Sequence, residues 1–238
     1  MDPVGDGVIR RLVVNADDLG YDPEIDRGIL EAHRLGLVTS ASAMVDTPFA
    51  ARALGEAPAS LGAGLHAVLE PGQGAAAAQA EIERQLALFE RLRGRPPTHL
   101  DTHRHAHAAP AVLEAVARVA GRHRLPARAL DAAMRAWLRE RGVVTADRFL
   151  GDAAARPGWT LERLLAALAS LRDGTTEIMC HPGYRPSATR TSFGAEREVE
   201  LRALTDPRAL AAVRAAGVSL VAFSGCDPGW GAGPLASP

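Results

Sequence analysis

Short apolar, strand-like runs alternate with longer helix-like segments along almost the whole chain, and this alternation narrows the fold more than any other feature. A first strand over about Val8 to Asn15 is followed by a helix near Pro23 to Leu35. Asp22 and Pro23 suit its N-cap and first helical position, and Gly36 breaks it. A second strand, LVTSASAMV, reads out at Val45 before a short helix through FAARALGEA, and a third, LGAGLHAVL, carries His66. The run AAAAQAEIERQLALFERLRG is amphipathic at helical spacing, and a short fourth strand, PTHLDTH, follows it. Then come helix AAPAVLEAVARVAGRH, the apolar segment LPARAL, helix DAAMRAWLRERG, a candidate strand in VVTADRFLG and helix TLERLLAALASLRDG. TEIMCHPG reads as a strand ending at Cys180, helices cover 194–216, and VSLVAFSG is a last apolar strand. Strand then helix, roughly seven times over, predicts an α/β fold: a (β/α) barrel-like arrangement of seven to eight parallel strands with outer helices. An open doubly wound sheet is the alternative. With 238 residues, 47% of them hydrophobic, the chain can bury one substantial core. Residues 1–238 are therefore read as a single domain, with a flexible Gly/Pro-rich tail from about residue 227.

Charge and cysteine usage exclude several classes. The formal net charge is −1, so nothing global attracts nucleic acid or an anionic membrane. All 27 basic residues are arginine, spread along the chain rather than clustered as a binding surface would require. Cys180 and Cys226 are far apart, without the spacing of a zinc knuckle or a disulfide framework. No window approaches the roughly 18 apolar residues of a membrane span, and MDPVGDGVIRR lacks the apolar core of a secretion signal. The expectation is a soluble cytoplasmic protein.

The polar residues fall in an informative place. RLVVNADDLG ends a buried strand in two adjacent carboxylates, Asp17 and Asp18, which repel each other and are costly to bury unpaired. His66 lies near the end of the third strand, Asp101 and His103 end the fourth, and His181 follows the strand before Pro182. In a parallel barrel all strand C-termini share one face, the face on which such enzymes build their sites. Two histidines and one carboxylate are a common ligand set for a divalent metal with open positions; the donors suit zinc, and also iron, manganese or cobalt. One acid can then ligate the metal while the other serves as general base, the cation offsetting their repulsion. Neighbours on an extended strand point opposite ways, so the chain is expected to turn at the pair.

HLDTHRHAH is the second such stretch. Asp101, His103, His105 and His107 alternate, and an extended backbone would put them on one face. At roughly 3.3 Å per residue His107 would lie about 13 Å from His103, too far for one coordination sphere. His103 is the candidate ligand, with Asp101 as its supporting partner. His105 and His107 line the substrate cleft or are ordinary loop histidines. His33, His99 and His123 are read as structural.

At these residues the chain resembles the YdjC-like carbohydrate deacetylase family, which includes the chitooligosaccharide deacetylases and the hopanoid-biosynthesis-associated deacetylases. VVNADDLG, GILEAHRLGLVTSASAMV, GLH, RPPTHLDTHRHAH and EIMCHPGY occur in family order from residue 11 to about 184. The resemblance implies a barrel-like, metal-dependent hydrolase that removes an acetyl group from an N-acetylated sugar, with hydrolysis of a linear amide as the reaction. Carried over by motif, Asp18, His66 and His103 would hold one divalent ion, zinc first, magnesium or another divalent ion as alternatives. Asp17 would be the catalytic base and His181 the general acid. Arg128 falls where family members carry an arginine after a strand and would orient Asp17; the alternative is a plain surface arginine. The implied partner is a small acetylated amino sugar or conjugate, and the family makes a homodimer an expectation.

Two departures bear on substrate. Only about 31 residues separate His66 from Thr98, where many family members carry a longer insertion, and aromatics make up 4% of the chain. An extended chitooligosaccharide groove is therefore not expected. Arg104 stands where relatives often have a third consecutive histidine. The competing functions are hydrolysis of another amide, ester or phosphoester on the same scaffold, and non-catalytic sugar binding.

Overall fold

A computed structural model describes residues 9–151 and 157–226. The expected strand start at Val8 and the tail from residue 227 lie outside the described residues. Among these, seven parallel strands build one sheet, curled into a half-barrel with helices around it. The strands are β1 (Arg10–Leu19), β2 (Ser40–Ala43), β3 (Gly62–Ala67), β4 (Leu100–Thr102), β5 (Arg148–Leu150), β6 (Gly174–Cys180) and β7 (Val218–Leu220). Their order is β4-β3-β2-β1-β6-β5, with β7 paired to the start of β1. Beyond β4 the curve continues through irregular chain. Leu100 bridges to Ala127, whose N–H donates to the Val144 carbonyl at 2.9 Å. The barrel-like expectation holds, with seven strands.

The helices are α1 (Pro23–Leu35), α2 (Ala50–Glu56), α3 (Ala75–Arg93), α4 (Pro110–His123), α5 (Ala132–Arg139), α6 (Leu161–Ala169), α7 (Glu196–Thr205) and α8 (Pro207–Ala215). None is long and apolar enough to cross a membrane. Asp22 caps α1 as its residue type predicts, accepting from the Glu24 N–H at 2.9 Å, and Pro23 opens the helix. Gly28 of α1 meets Gly183 so closely that a Cβ there would lie 2.4 Å from the Gly183 Cα. Two glycines thus let α1 press against the segment just after His181.

Side-chain alternation along β1 divides the interior. Leu12, Val14 and Ala16 join Ile25, Ile29 and the other helices in the main core outside the sheet. Val13 faces inward, where it packs with Ala146, Phe223 and Cys226 as a small apolar floor. Two-residue steps from Val13 place Asn15 and Asp17 above that floor, on the inner side.

Two differences from the sequence reading shape the interior. β1 does not stop at Asn15 but keeps pairing to Leu19, opposite Ala43, with an irregular step after Ala16. Asp18 sits in that step at φ 74, a left-handed conformation that aspartate tolerates better than most residues. The expected turn is therefore a bulge inside the strand. VSLVAFSG is a strand only over Val218–Leu220. The chain then leaves the sheet so that Phe223 can fill the floor, its ring stacked on His99 at 4.4 Å and its N–H on the Ser40 hydroxyl at 2.8 Å.

Candidate active site

The C-terminal ends of β1, β3, β4 and β6 surround a cavity of about 310 Å³. Asp17, Asp18, His66, His103, His105 and His181 all line it. The bulge at Asp18 is what turns both adjacent carboxylates into the same space. A pair of buried arginines separates their electrostatics.

Asp17 is gripped end-on by Arg128, whose Nη1 and Nη2 donate to Oδ2 and Oδ1 at 2.8 and 2.7 Å. Asn15 and Ser42 also donate to Oδ1, at 2.9 and 3.2 Å. Burial would push the Asp17 carboxyl up, but Arg128 overrides it and holds the group well below the usual carboxylate range. Arg128 is fully buried, so the surface-arginine alternative is excluded. It also meets Asp101 Oδ2 at 2.9 Å and, through Nε, Glu177 Oε1 at 2.7 Å. Burial pushes Glu177 up to about 7 against the pull of Arg128. Its second oxygen, Oε2, has no hydrogen-bond partner.

Asp18 is held from the other side. Arg197 of α7 donates from Nη2 to Oδ2 at 2.5 Å, and against the effect of burial this keeps Asp18 well below its ordinary pKa. The other oxygen, Oδ1, is buried with no hydrogen-bond partner and faces two imidazoles: His66 Nε2 at 3.6 Å and His103 Nδ1 at 3.5 Å. Those two nitrogens lie 3.2 Å apart. Asp101 Oδ1 takes the far nitrogen of His66, Nδ1, at 2.6 Å, which leaves Nε2 turned toward the cluster. Burial opposes a charge on His66, but Asp101 and Asp17 raise it to about 9. Three donor atoms of matching type thus converge around an unsatisfied carboxylate oxygen, all within 4.8 Å of one another. This donor set fits a divalent cation.

HRHAH does not run on as a strand. After Thr102 the chain enters a tight helical turn, His103–Ala108, with Arg104 and His105 at φ 53. His105 reaches the cavity wall, and burial lowers it to about 4. His107 turns away; it is fully buried, its Nδ1 2.6 Å from the Thr102 hydroxyl, and it takes no part in the lining. His33, His99 and His123 lie outside the cavity, with polar contacts to Val38 and Ser60, to Thr98, and to Glu83.

His181 lines the cavity next to Phe193, directly after Cys180, which pairs with Ala16 of β1. Glu200 of α7 accepts its backbone N–H at 2.7 Å and that of Gly158 at 2.9 Å. Tyr21, Trp159 and Met179 add apolar wall, and Arg190 to Phe193 form the outer side. The chain leading into that segment is tied down by Asp22, whose Oδ2 accepts from the N–H groups of Ala188 and Thr189 at 2.9 Å each. Arg197, Glu200 and Glu177 escaped the sequence reading. EREVELRALT looks like a solvated helix, and its one clue is that Arg197 and Glu200 are three apart, on one face with Leu201 and Leu204.

A parallel half-barrel with a buried Asp-His-His cluster at its strand ends defines a class of barrel-type proteins whose candidate metal centre lies at the carboxyl face. Within that class the chain belongs to the YdjC-like protein family, whose model matches residues 11–215. A carbohydrate deacetylase of Geobacillus stearothermophilus is 36% identical over 90% of this chain and 97% of its own length. A human carbohydrate deacetylase is 30% identical over 91% of each chain. The chitooligosaccharide deacetylase of Salmonella paratyphi B is 31% identical, covering 86% of this chain and 94% of the relative. Among solved structures, an Enterococcus faecalis V583 protein described as a cellobiose-phosphate cleavage protein superposes with a TM-score of 0.81 at 23% identity, over 91% of this chain and 98% of that one. A family 4 carbohydrate esterase from Streptomyces lividans, in complex with acetate, shares the fold at TM-score 0.55 and 14% identity, over 89% and 91%.

Proposed function

We propose that the protein is a divalent-metal-dependent hydrolase that removes the acetyl group from an N-acetylated amino sugar or its conjugate. Family membership and the names of the curated relatives support deacetylation of a carbohydrate. The observation that carries the metal is the orphaned Oδ1 of Asp18 facing two imidazole nitrogens beside an arginine-clamped Asp17. Asp18, His66 and His103 would hold the ion, zinc first by donor chemistry; iron, manganese or cobalt also suit these donors, and magnesium is less natural with two imidazoles. Clamped by Arg128, Asp17 stays ionised and free to accept a proton, but is a weak base. The water it would deprotonate needs to be more acidic than bulk water, and a divalent cation held by Asp18, His66 and His103 would supply that, together with polarisation of the acetamide carbonyl. His181, also in the cavity lining, would give a proton to the amine nitrogen, which leaves too poorly as an anion. Arg128 and Asn15 keep Asp17 aimed, and Asp101 keeps His66 aimed.

The test is acetate release from a panel of N-acetylated sugars, short chitooligosaccharides included, by protein reconstituted with zinc. Release is expected, and the Asp17→Asn protein should bind zinc while losing about 10³-fold or more in kcat. Turnover of esters or phosphoesters with none on acetamido sugars would replace the deacetylase reading with another hydrolase, and full activity of Asp17→Asn would remove Asp17 as base.

A further inference from the structure

Glu177 lies one layer below the cavity, outside its lining, and its charge has no explanation in the stability of the fold. It sits in the middle of β6, paired with Val13 of β1 on one side and Phe149 of β5 on the other. It is fully buried, one of its oxygens is unsatisfied, and Asp17 and Asp101 already face the single guanidinium of Arg128. A third carboxylate there adds desolvation cost and like-charge repulsion, and a well-packed apolar residue would be expected to stabilise the fold at least as well. What Glu177 does provide is geometric. Arg128 reaches Asp17 with both terminal nitrogens and Asp101 with Nη2, which leaves Nε as the one nitrogen that holds the guanidinium plane from the side away from Asp17. Glu177 Oε1 takes that N–H at 2.7 Å.

We propose that Glu177 is a positioning residue for the reaction: by accepting the Arg128 Nε–H it locks the guanidinium in the plane that presents both terminal nitrogens to Asp17, and so holds the base in its productive orientation. The proposal rests on Asp17 being the base of the hydrolysis proposed above. It requires an acceptor atom at this distance, not a charge. Glu177→Gln keeps an acceptor and gives up the charge, Glu177→Asp keeps the charge but withdraws the acceptor by one methylene, and Glu177→Leu removes both.

Two readouts test it. The first is steady-state kinetics on whichever substrate the wild type turns over. Glu177→Gln should stay within about threefold of wild-type kcat, while Glu177→Leu and Glu177→Asp should fall by roughly 10- to 100-fold, as expected for a displaced reacting group. KM and the zinc content should be unchanged in all three. The second readout needs no turnover: a ¹⁵N spectrum of labelled arginine, in which the buried Arg128 Nε–H gives a slowly exchanging resonance assigned by its loss in Arg128→Lys. It should persist in Glu177→Gln and vanish or exchange rapidly in Glu177→Asp and Glu177→Leu. An Asp variant with wild-type kcat and an intact resonance would overturn the proposal, as would a Gln variant as impaired as the Asp variant. If Leu does not fold, the Gln and Asp pair still decides. Absence of any deacetylase turnover by the wild type would sink the functional reading, while the resonance would still report whether Glu177 locks Arg128.

Discussion

The two faces of the sheet are built on opposite principles. Outside, β1 contributes Leu12, Val14 and Ala16 to a predominantly apolar core made with the helices. Inside, the apolar floor is small, four buried residues with Phe223 among them. Above it lie Asn15, Ser42, Asp101, Arg128 and Glu177, all buried, and then the cavity. Burial of apolar area on the outer face stabilises the fold by about 25 cal/mol per Å² and needs no particular geometry. The inner face buries charges whose solvation loss is offset only by close pairing, so it depends on distances of a few tenths of an ångström. Stability and chemistry are thus assigned to opposite sides of one strand, alternating residue by residue.

The sharpest way to break this contrast is a pair of substitutions, one on each face. Asp18→Asn keeps an acceptor for Arg197 but weakens the proposed cation site. Turnover should fall by about 10³-fold, with reduced zinc binding by calorimetry and a melting temperature close to wild type. Ile29→Ala on the outer face should do the reverse, costing about 2–5 kcal/mol in urea unfolding while the folded fraction keeps its kcat. A large stability loss in the first or a large kcat loss in the second would dissolve the division.

A smaller effect separates the faces by pH. Burial pushes His99 down to about 4 and His107 down to about 3. Both lie below the ordinary histidine value near 6.5, so the unfolded chain binds more protons than the folded one between these values. Their contribution is complete above about pH 6.5 and is lost as the pH falls toward 4 and 3, about 3 kcal/mol for His99 alone. Urea midpoints should therefore drop between pH 7 and 5, and His99→Phe, which can still stack on Phe223, should flatten that slope. An unchanged slope would show that His99 takes up no proton on unfolding.

The smallest effect comes from the one place where α1 carries a buried acid into the outer packing. Asp26 accepts the Gly20 N–H at 2.6 Å, just beyond the Asp18 bulge, while burial raises its pKa to about 6. A raised carboxyl has the opposite sign: its contribution is complete below about pH 4 and is lost as the pH rises through 6. Asp26→Asn keeps an acceptor for Gly20 and should gain about 1 kcal/mol at pH 8, with Arg52 at 3.6 Å and half exposed already offsetting part of the cost. A variant less stable than wild type at pH 8 would show that the ionised form holds the turn.

How far the sequence alone reached follows the same two faces. The outer one was legible, because helix caps and periodicity are local: α1 runs over the expected Pro23–Leu35 with the expected Asp22 cap. The convergence of Asp17, Asp18, His66, His103 and His181 was also legible, since parallel strands bring their ends together by topology. Less visible was anything decided by a partner distant in sequence. Nothing near Arg128 shows that its side chain is fully buried between Asp17, Asp101 and Glu177. Nothing near Arg197 shows that its mate lies 179 residues away. HRHAH misled for a different reason: alternation implies one face only while the backbone stays extended, and two left-handed residues end that at Arg104.

Asp22 ties two roles into one side chain. Its Oδ1 starts a helix and its Oδ2 anchors the segment that leads into the cavity's outer side. The opening turn of α1 and the rim of the site are therefore a single mechanical part, with no slack between them. A change at Asp22 cannot be tolerated as a mere loss of helix stability, because the entrance would loosen with it. Sequence drift in 187–193 is likewise confined to changes that leave two backbone amides presented to the same oxygen.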